Sequence, residues 1–409
     1  MTFRPYRAET DRDAVRRIWR EVGWIDGEGQ EKALDVFLEG GRNLLADLNG
    51  EPECMVNTNP GVLVYQNEEI PLSCVTGVTT SRVARKRGMA IDLTAHALGE
   101  DAVDGAAVAM LGVFEQGFYN RLGFGNGCYE HWCTLDPTRL SVDVTARTPR
   151  RLTADDWETV HASRLERRRR HGACSILSPE LTRAEMMWGD NGFGLGYVGD
   201  AGDLTHHIWC TTTKADGGPY RIEWMVYRDR LQFLELLALI RTLGDQVRSI
   251  RMREPGGIQL QDLLAEPFKL RQVTQKSPHE NRMNASAYWQ ARILDLPRCI
   301  RATHLDSGSI SFNLVLDDPI KVVLPEDRPW RGIGGEYRIA LGSESSASRG
   351  SDPAIPTLRA SVGAFTRMWL GVRSATGLSW TDAIEGPPEL LRELDRTLRL
   401  PSPSPDWDF

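Results

Sequence analysis

Three stretches of the chain gather residue types that could do chemistry. In the first, Val78, Thr79 and Thr80 end a strand-like run, Arg85, Lys86, Arg87 and Gly88 make a basic turn, and Met89, Ala90 and Ile91 open a helix. A helix N-terminus presents unpaired amides and a positive dipole end, a glycine lets an anion approach the backbone, and cations add charge-assisted bonds. Pyrophosphate is the natural guest, although Arg-Lys-Arg-Gly by itself is also what a solvated turn looks like, and neither a Walker A loop nor a GxGxxG fingerprint is present. The second stretch is FYNRLGF at residues 118–124, an aromatic-rich turn ending in glycine. The third is the end of the sequence, PSPSPDWDF: Trp407 and Phe409 are apolar anchors. An α-carboxyl of pKa about 3.5 is ionised at neutral pH and can take a proton from an amine.

These residues need elements to position them. Apolar periodicity predicts helices at 10–21 and 30–39, strands at 43–48, 54–57, 61–65 and 70–79, and a helix at 89–100. A buried strand at 106–114, a short helix at 117–122 and a strand at 129–135 complete a mixed α/β domain, closed by Asp136-Pro137 and Thr148-Pro149. A helix at 155–170, strands at 194–198, 205–213 and 221–227, a helix at 231–243 and a strand at 246–251 read as a second copy without the basic turn. From about residue 288 the chain turns strand-rich (291–294, 308–316, 336–341), with a Ser-rich connection at 342–351 expected to be mobile and helices at 360–370 and 390–398. The expected domains are 1–150, 151–287 and 288–409.

Taken together, residues 78–90 and 118–124 resemble the GNAT acetyltransferase superfamily. The whole chain is similar to one branch, the enhanced-intracellular-survival (Eis) acetyltransferases, through YWQARILD at 288–295, residues 312–318 and 363–371, and the terminal Trp407-Asp408-Phe409. The resemblance implies an α/β (α+β) architecture of two tandem GNAT-like mixed-sheet domains, the second degenerate, followed by a sterol-carrier-protein-like domain. It implies acetyl-CoA as co-substrate. Val78, Thr79 and Thr80 would pair with the pantetheine arm, Arg85 through Ile91 would hold the pyrophosphate, and Phe114 and Glu115 would flank the thioester. By the same resemblance Tyr119 is the general acid, the Phe409 carboxylate the general base, and Trp24, Asp26, Glu28, Trp407 and Asp408 line the acceptor pocket. The implied acceptors are cationic amines (polyamine-like molecules, aminoglycosides, protein lysines), and the implied assembly is a homo-oligomer, a hexamer.

Composition narrows the alternatives. The 409 residues carry a net charge of −7, which argues against a dedicated nucleic-acid binder. Residues 1–150 hold 16 Lys and Arg against 22 Asp and Glu, a field that would draw cations. Seven cysteines without a CxxC pair indicate neither a zinc ribbon nor a disulfide framework, and no metal is expected. With no apolar stretch near ~20 residues, no membrane partner is expected and the cytoplasm is the expected compartment. The basic run at 167–171 reads as a solvated helix face, His206-His207 lacks ligand partners, and the stripe at 231–243 reads as a buried helix. The rival function is a non-catalytic acyl-CoA or lipid carrier that uses an apolar tunnel in the third domain.

Overall fold

The computed structural model describes residues 2–189, 191–266, 272 and 274–409. Among them the strands form three sheets. The first runs in the order Thr2–Pro5, Arg42–Leu48, Glu51–Tyr65, Glu68–Thr80, Val108–Gly112, Trp289–Ile293, Gly125–Asn126, with Cys174–Ile176 paired beside Glu51–Tyr65. Its pairs are antiparallel except Glu68–Thr80 with Val108–Gly112, which are parallel and joined by the helix Met89–Val103. The second sheet runs Arg282–Ser286, Glu130–Leu135, Ile250–Arg253, Tyr220–Val226, Leu204–Thr211, Phe193–Val198, Arg150–Leu152. Its parallel pair, Tyr220–Val226 with Ile250–Arg253, again brackets a helix, Arg230–Thr242. The third sheet runs Ser346–Arg349, Gly335–Leu341, Ile310–Asp317, Thr357–Ser361, Ile384–Glu385. Among the described residues no helix is long and apolar enough to cross a membrane.

Several expectations are corrected. The predicted strands at 54–57 and 61–65 are one strand, Glu51–Tyr65. Pro60 is tolerated because it falls where the strand changes neighbours: Thr58 is the last residue paired with Arg42–Leu48, and Gly61 the first paired with Cys174–Ile176. The strand Glu130–Leu135, read as the last of the first unit, pairs in the second sheet with Ile250–Arg253 and Arg282–Ser286. Conversely, Trp289–Ile293 leaves the C-terminal region to lie between Val108–Gly112 and Gly125–Asn126. The Ser-rich connection is not a loose loop, since Ser346–Arg349 is an edge strand on Gly335–Leu341 and the Ser345 hydroxyl closes the turn on Gly342. The helix expected from 360 starts at Val362, capped by the Ser361 hydroxyl on the Ala364 amide at 3.1 Å.

One apolar core runs across the first and third sheets; the second sheet has its own. Tyr65 stacks on Trp369 at 4.2 Å and donates to the Trp369 carbonyl at 3.1 Å. A fully buried ion pair, Arg292 to Asp318 at 2.8 Å, joins the same units. Such a pair is costly to desolvate unless its remaining bonds are made. Here Arg292 also donates to the Leu122 carbonyl, and Asp318 accepts from the Ile333 amide at 2.9 Å. Arg292 therefore fixes the turn that carries Tyr119.

Candidate active site

The parallel strands Glu68–Thr80 and Val108–Gly112 pair only from Leu72 to Val75 and then diverge. Among the described residues, 76–80 have no strand neighbour on that side, an open edge able to bond an extended amide-bearing ligand. A cavity of about 670 Å³ fills the gap. Val78, Thr80, Arg85, Lys86, Arg87, Gly88, Met89, Ala90, Ile91, Phe114, Glu115 and Tyr119 all line it, as do Phe118 and Arg121. Thr79, expected among them, does not: strand alternation turns its side chain into the interior.

At the cavity's mouth the helix Met89–Val103 begins without a side-chain cap. The Asp92 amide is the first to find its helical carbonyl, on Gly88 at 3.0 Å; among the described residues the amides of Met89, Ala90 and Ile91 have no acceptor. Gly88 holds φ at +82°, a left-handed conformation, and the three cations before it are exposed. This arrangement fits a diphosphate. An L side chain at that φ costs about 1–2 kcal/mol. Gly88→Ala should therefore weaken acetyl-CoA binding about 10-fold in titration calorimetry, with little effect on the rate at saturation. Undiminished affinity would remove this turn from the binding site.

Tyr119 opens a 3-10 turn, Tyr119–Leu122, at the cavity's inner end. The turn is held by Arg292 on Leu122, and by Asn120, which donates to the Phe124 carbonyl at 2.9 Å and accepts from Gln290 at 3.3 Å. The Tyr119 ring packs edge-on against Phe118 and Phe124. Burial pushes its phenol above the ordinary value, and no described group hydrogen-bonds its hydroxyl, which is left free to turn to a ligand.

A second cavity, about 380 Å³, abuts the first at Phe114, whose exposed ring lines both. Its walls are aromatic: Trp19, Trp24, Phe37 and Trp188, with Trp19 5.0 Å from Trp24 and 5.4 Å from Trp188. Its acidic side chains are Glu185 and Asp408, and Phe409 lines it beside them. Burial lifts the Glu185 carboxyl above its usual range against the pull of its partner Arg164. An adjoining space of about 330 Å³ shares Glu185, Trp188 and Asp408 and adds Glu223, Asp406, Trp224 and one cation, Arg164, so that carboxylates outnumber it four to one. Aromatic faces and carboxylates together suit a cation.

Sequence-predicted acceptor residues divide here. Trp24, Asp408 and Phe409 line the cavity. Asp26 and Glu28 are exposed and do not; they start the helix Glu28–Glu39, and the Asp26 amide bonds Gln30 at 2.8 Å. Trp407 does not either, being buried beneath Arg164, whose guanidinium lies 3.7 Å over the ring. Sequence reasoning missed Glu185 and Trp188, on the helix Pro179–Trp188. Ser178-Pro179 and the spacing of Leu181, Ala184 and Trp188 were the available signal.

Phe409 lines the second cavity beside the end of the strand Val108–Gly112. A methyl group on Gly112, the last residue of Val108–Gly112, would sit 3.2 Å from the Phe409 oxygen and 3.0 Å from the Tyr288 ring. An alanine at this position would press on the Phe409 oxygen and the Tyr288 ring. The basic run, expected to be solvated, is so at Arg168 and Arg170, which are exposed, while its first and last residues are buried and Arg167 helps to anchor the tail. Its helix stops at Leu165, Arg167 is buried against Asp406, and His171 is buried between the Gln66 amide and the Leu370 carbonyl. His206 and His207 are also buried, bonding Glu235 and Trp224 respectively.

A family model described as an acetyltransferase (GNAT) domain matches residues 2–127. No curated protein matches the chain. Among solved structures it is similar to a GCN5-related N-acetyltransferase from Anabaena variabilis (14% identity, TM-score 0.78, 100% of each chain covered). It is also similar to a GCN5-related N-acetyltransferase from Kribbella flavida (18%, 0.71, 100% of each) and to Eis1 from Mycobacterium abscessus (17%, 0.76, 100% of each). At these identities the likeness is one of fold, and it extends over the whole chain: two GNAT domains and a C-terminal α+β domain. Residues 2–127 are the GNAT acetyltransferase domain of an acetyltransferase enzyme.

Proposed function

We propose that the chain acetylates a cationic amine in the manner of the Eis branch, with Tyr119 as general acid and the Phe409 carboxylate as general base. The observation that carries this reading is the meeting of the two cavities at Phe114: one ends in a basic turn and a buried phenol, the other in aromatic faces and the chain's own terminus. Acetyl-CoA, when bound, supplies an acetyl thioester. The amides and cations of residues 85–91 hold its pyrophosphate, and the open edge of residues 76–80 pairs with its pantetheine amides. Trp19, Trp24, Trp188 and Glu185 draw a protonated amine into the second cavity and leave its nitrogen facing Phe114. The Phe409 carboxylate accepts the nitrogen's proton, directly or through water, and Tyr119 returns a proton to the sulfur.

The carrier reading has no comparable support. The interior that a lipid tunnel would occupy is packed with Phe312, Leu314, Phe365 and Trp369, all buried. A homohexamer in the cytoplasm is the assembly this reading takes. Its test is the release of free coenzyme A from acetyl-CoA with a polyamine, an aminoglycoside, a lysine peptide and a neutral alcohol. Thiol release with at least one cationic amine and none with the alcohol is expected. No release with any amine would overturn the proposal.

A further inference from the structure

The second GNAT domain has the fold of the first but not its anion site. Where the first domain's helix Met89–Val103 begins uncapped, the corresponding helix Arg230–Thr242 is closed by its own Asp229, which accepts from the Gln232 amide at 2.9 Å and puts a negative charge where a phosphate would sit. Yet this domain holds the end of the chain. Ser404 donates its amide to the His171 carbonyl at 3.1 Å, and Arg253 donates to the Pro405 carbonyl at 3.2 Å. Arg167 grips Asp406, with Nε 2.7 Å from the carboxylate, Trp407 is buried beneath Arg164, and Arg253 pairs with Asp408. Arg253 ends the strand Ile250–Arg253, the counterpart in the second sheet of Val108–Gly112, over whose last residue the Phe409 oxygen lies.

The economy of this grip is what points to a purpose. Arg253 is shared with Glu130, 3.6 Å away, a buried carboxyl whose second oxygen has no partner among the described residues and which burial lifts to about 7. Asp406 and Asp408, by contrast, are part-exposed acids on a Pro- and Ser-rich tail that has no secondary structure of its own. An unanchored tail of that composition would sample many conformations, and a reacting group on its end would lose most of its effective concentration. We infer that the second domain acts in catalysis as a positioning clamp: Arg253 and Arg167 fix Asp408 and Asp406, and so hold the Phe409 carboxylate at Gly112. The inference rests on the reading of Phe409 as the general base.

A double-mutant cycle on the full chain tests it. Four proteins are compared at saturating acetyl-CoA and amine: the parent, Arg253→Gln, the parent with a Gly-Ser extension after Phe409, and the two changes combined. Arg253→Gln alone should lower kcat about 10- to 100-fold, leave the KM for acetyl-CoA unchanged, and be partly rescued by Arg253→Lys. In the extended chain, where the carboxylate is already displaced, Arg253→Gln should cost nothing further. Should Arg253→Gln not fold, Asp406→Asn takes its place in the same cycle. Parent-like kcat in Arg253→Gln, or an equal loss in both backgrounds, overturns the clamp while leaving the base reading intact. A fully active extended chain overturns the base reading, and the clamp with it.

Discussion

Tyr119→Phe should lower kcat about 100- to 10,000-fold, the span attributed to a positioned general acid. The substitution deletes one oxygen and nothing else. The ring keeps its edge-on contacts with Phe118 and Phe124, and because no described group bonds the hydroxyl, no partner is orphaned by its loss. Stability should hold, since the substitution breaks no hydrogen bond among the described residues. Acetyl-CoA affinity, which the proposed function assigns to residues 76–80 and 85–91 on other elements, should stay within about twofold. Burial shifts this phenol upward, so it stays protonated across the working range. The rate should show no alkaline limb from Tyr119 below about pH 10. Steady-state kinetics of coenzyme A release against pH, with calorimetry of acetyl-CoA binding, reads all of these.

The second large effect lies at the other end of the chain. A short extension after Phe409 should lower kcat about 100-fold at unchanged acetyl-CoA affinity. The Phe409 backbone oxygen lies close to Gly112 on the wall of the second cavity, so residues added after Phe409 should carry the charged end of the chain away from that position. The anchors upstream remain, with Trp407 under Arg164 and Asp406 on Arg167, and the fold should melt at the parent temperature. A lowered melting point would instead mark the tail as a structural strap.

What could be read in the sequence was local. The basic turn and FYNRLGF each carry their chemistry within a dozen residues, and the structure brings Arg85 through Ile91, Phe114, Glu115 and Tyr119 to one cavity. What could not be read was long-range. Glu185 and Trp188 reach the second cavity only because the helix Pro179–Trp188, which follows the second domain's first helix, packs against Glu28–Glu39. No local pattern announces that. Strand exchange was hidden for the same reason: alternation identifies Glu130–Leu135 and Trp289–Ile293 as strands but not the sheet each joins. The basic run misled because a run of arginines reads as solvated unless its acidic partner is known, and that partner, Asp406, lies 239 positions away. Trp407 was rightly an anchor and wrongly a pocket wall, a difference set by Arg164.

The central claim is that the chain's terminal carboxylate completes an active site built on the first domain. Its most direct test replaces that carboxylate by a carboxamide at Phe409, through ligation of a synthetic tail onto the otherwise unchanged chain, and measures kcat at saturating acetyl-CoA and amine. The amide keeps size and anchorage and removes one charge and one proton acceptor. A fall of about 100-fold at unchanged acetyl-CoA affinity is the predicted result; turnover equal to that of the ligated carboxylate control would contradict it.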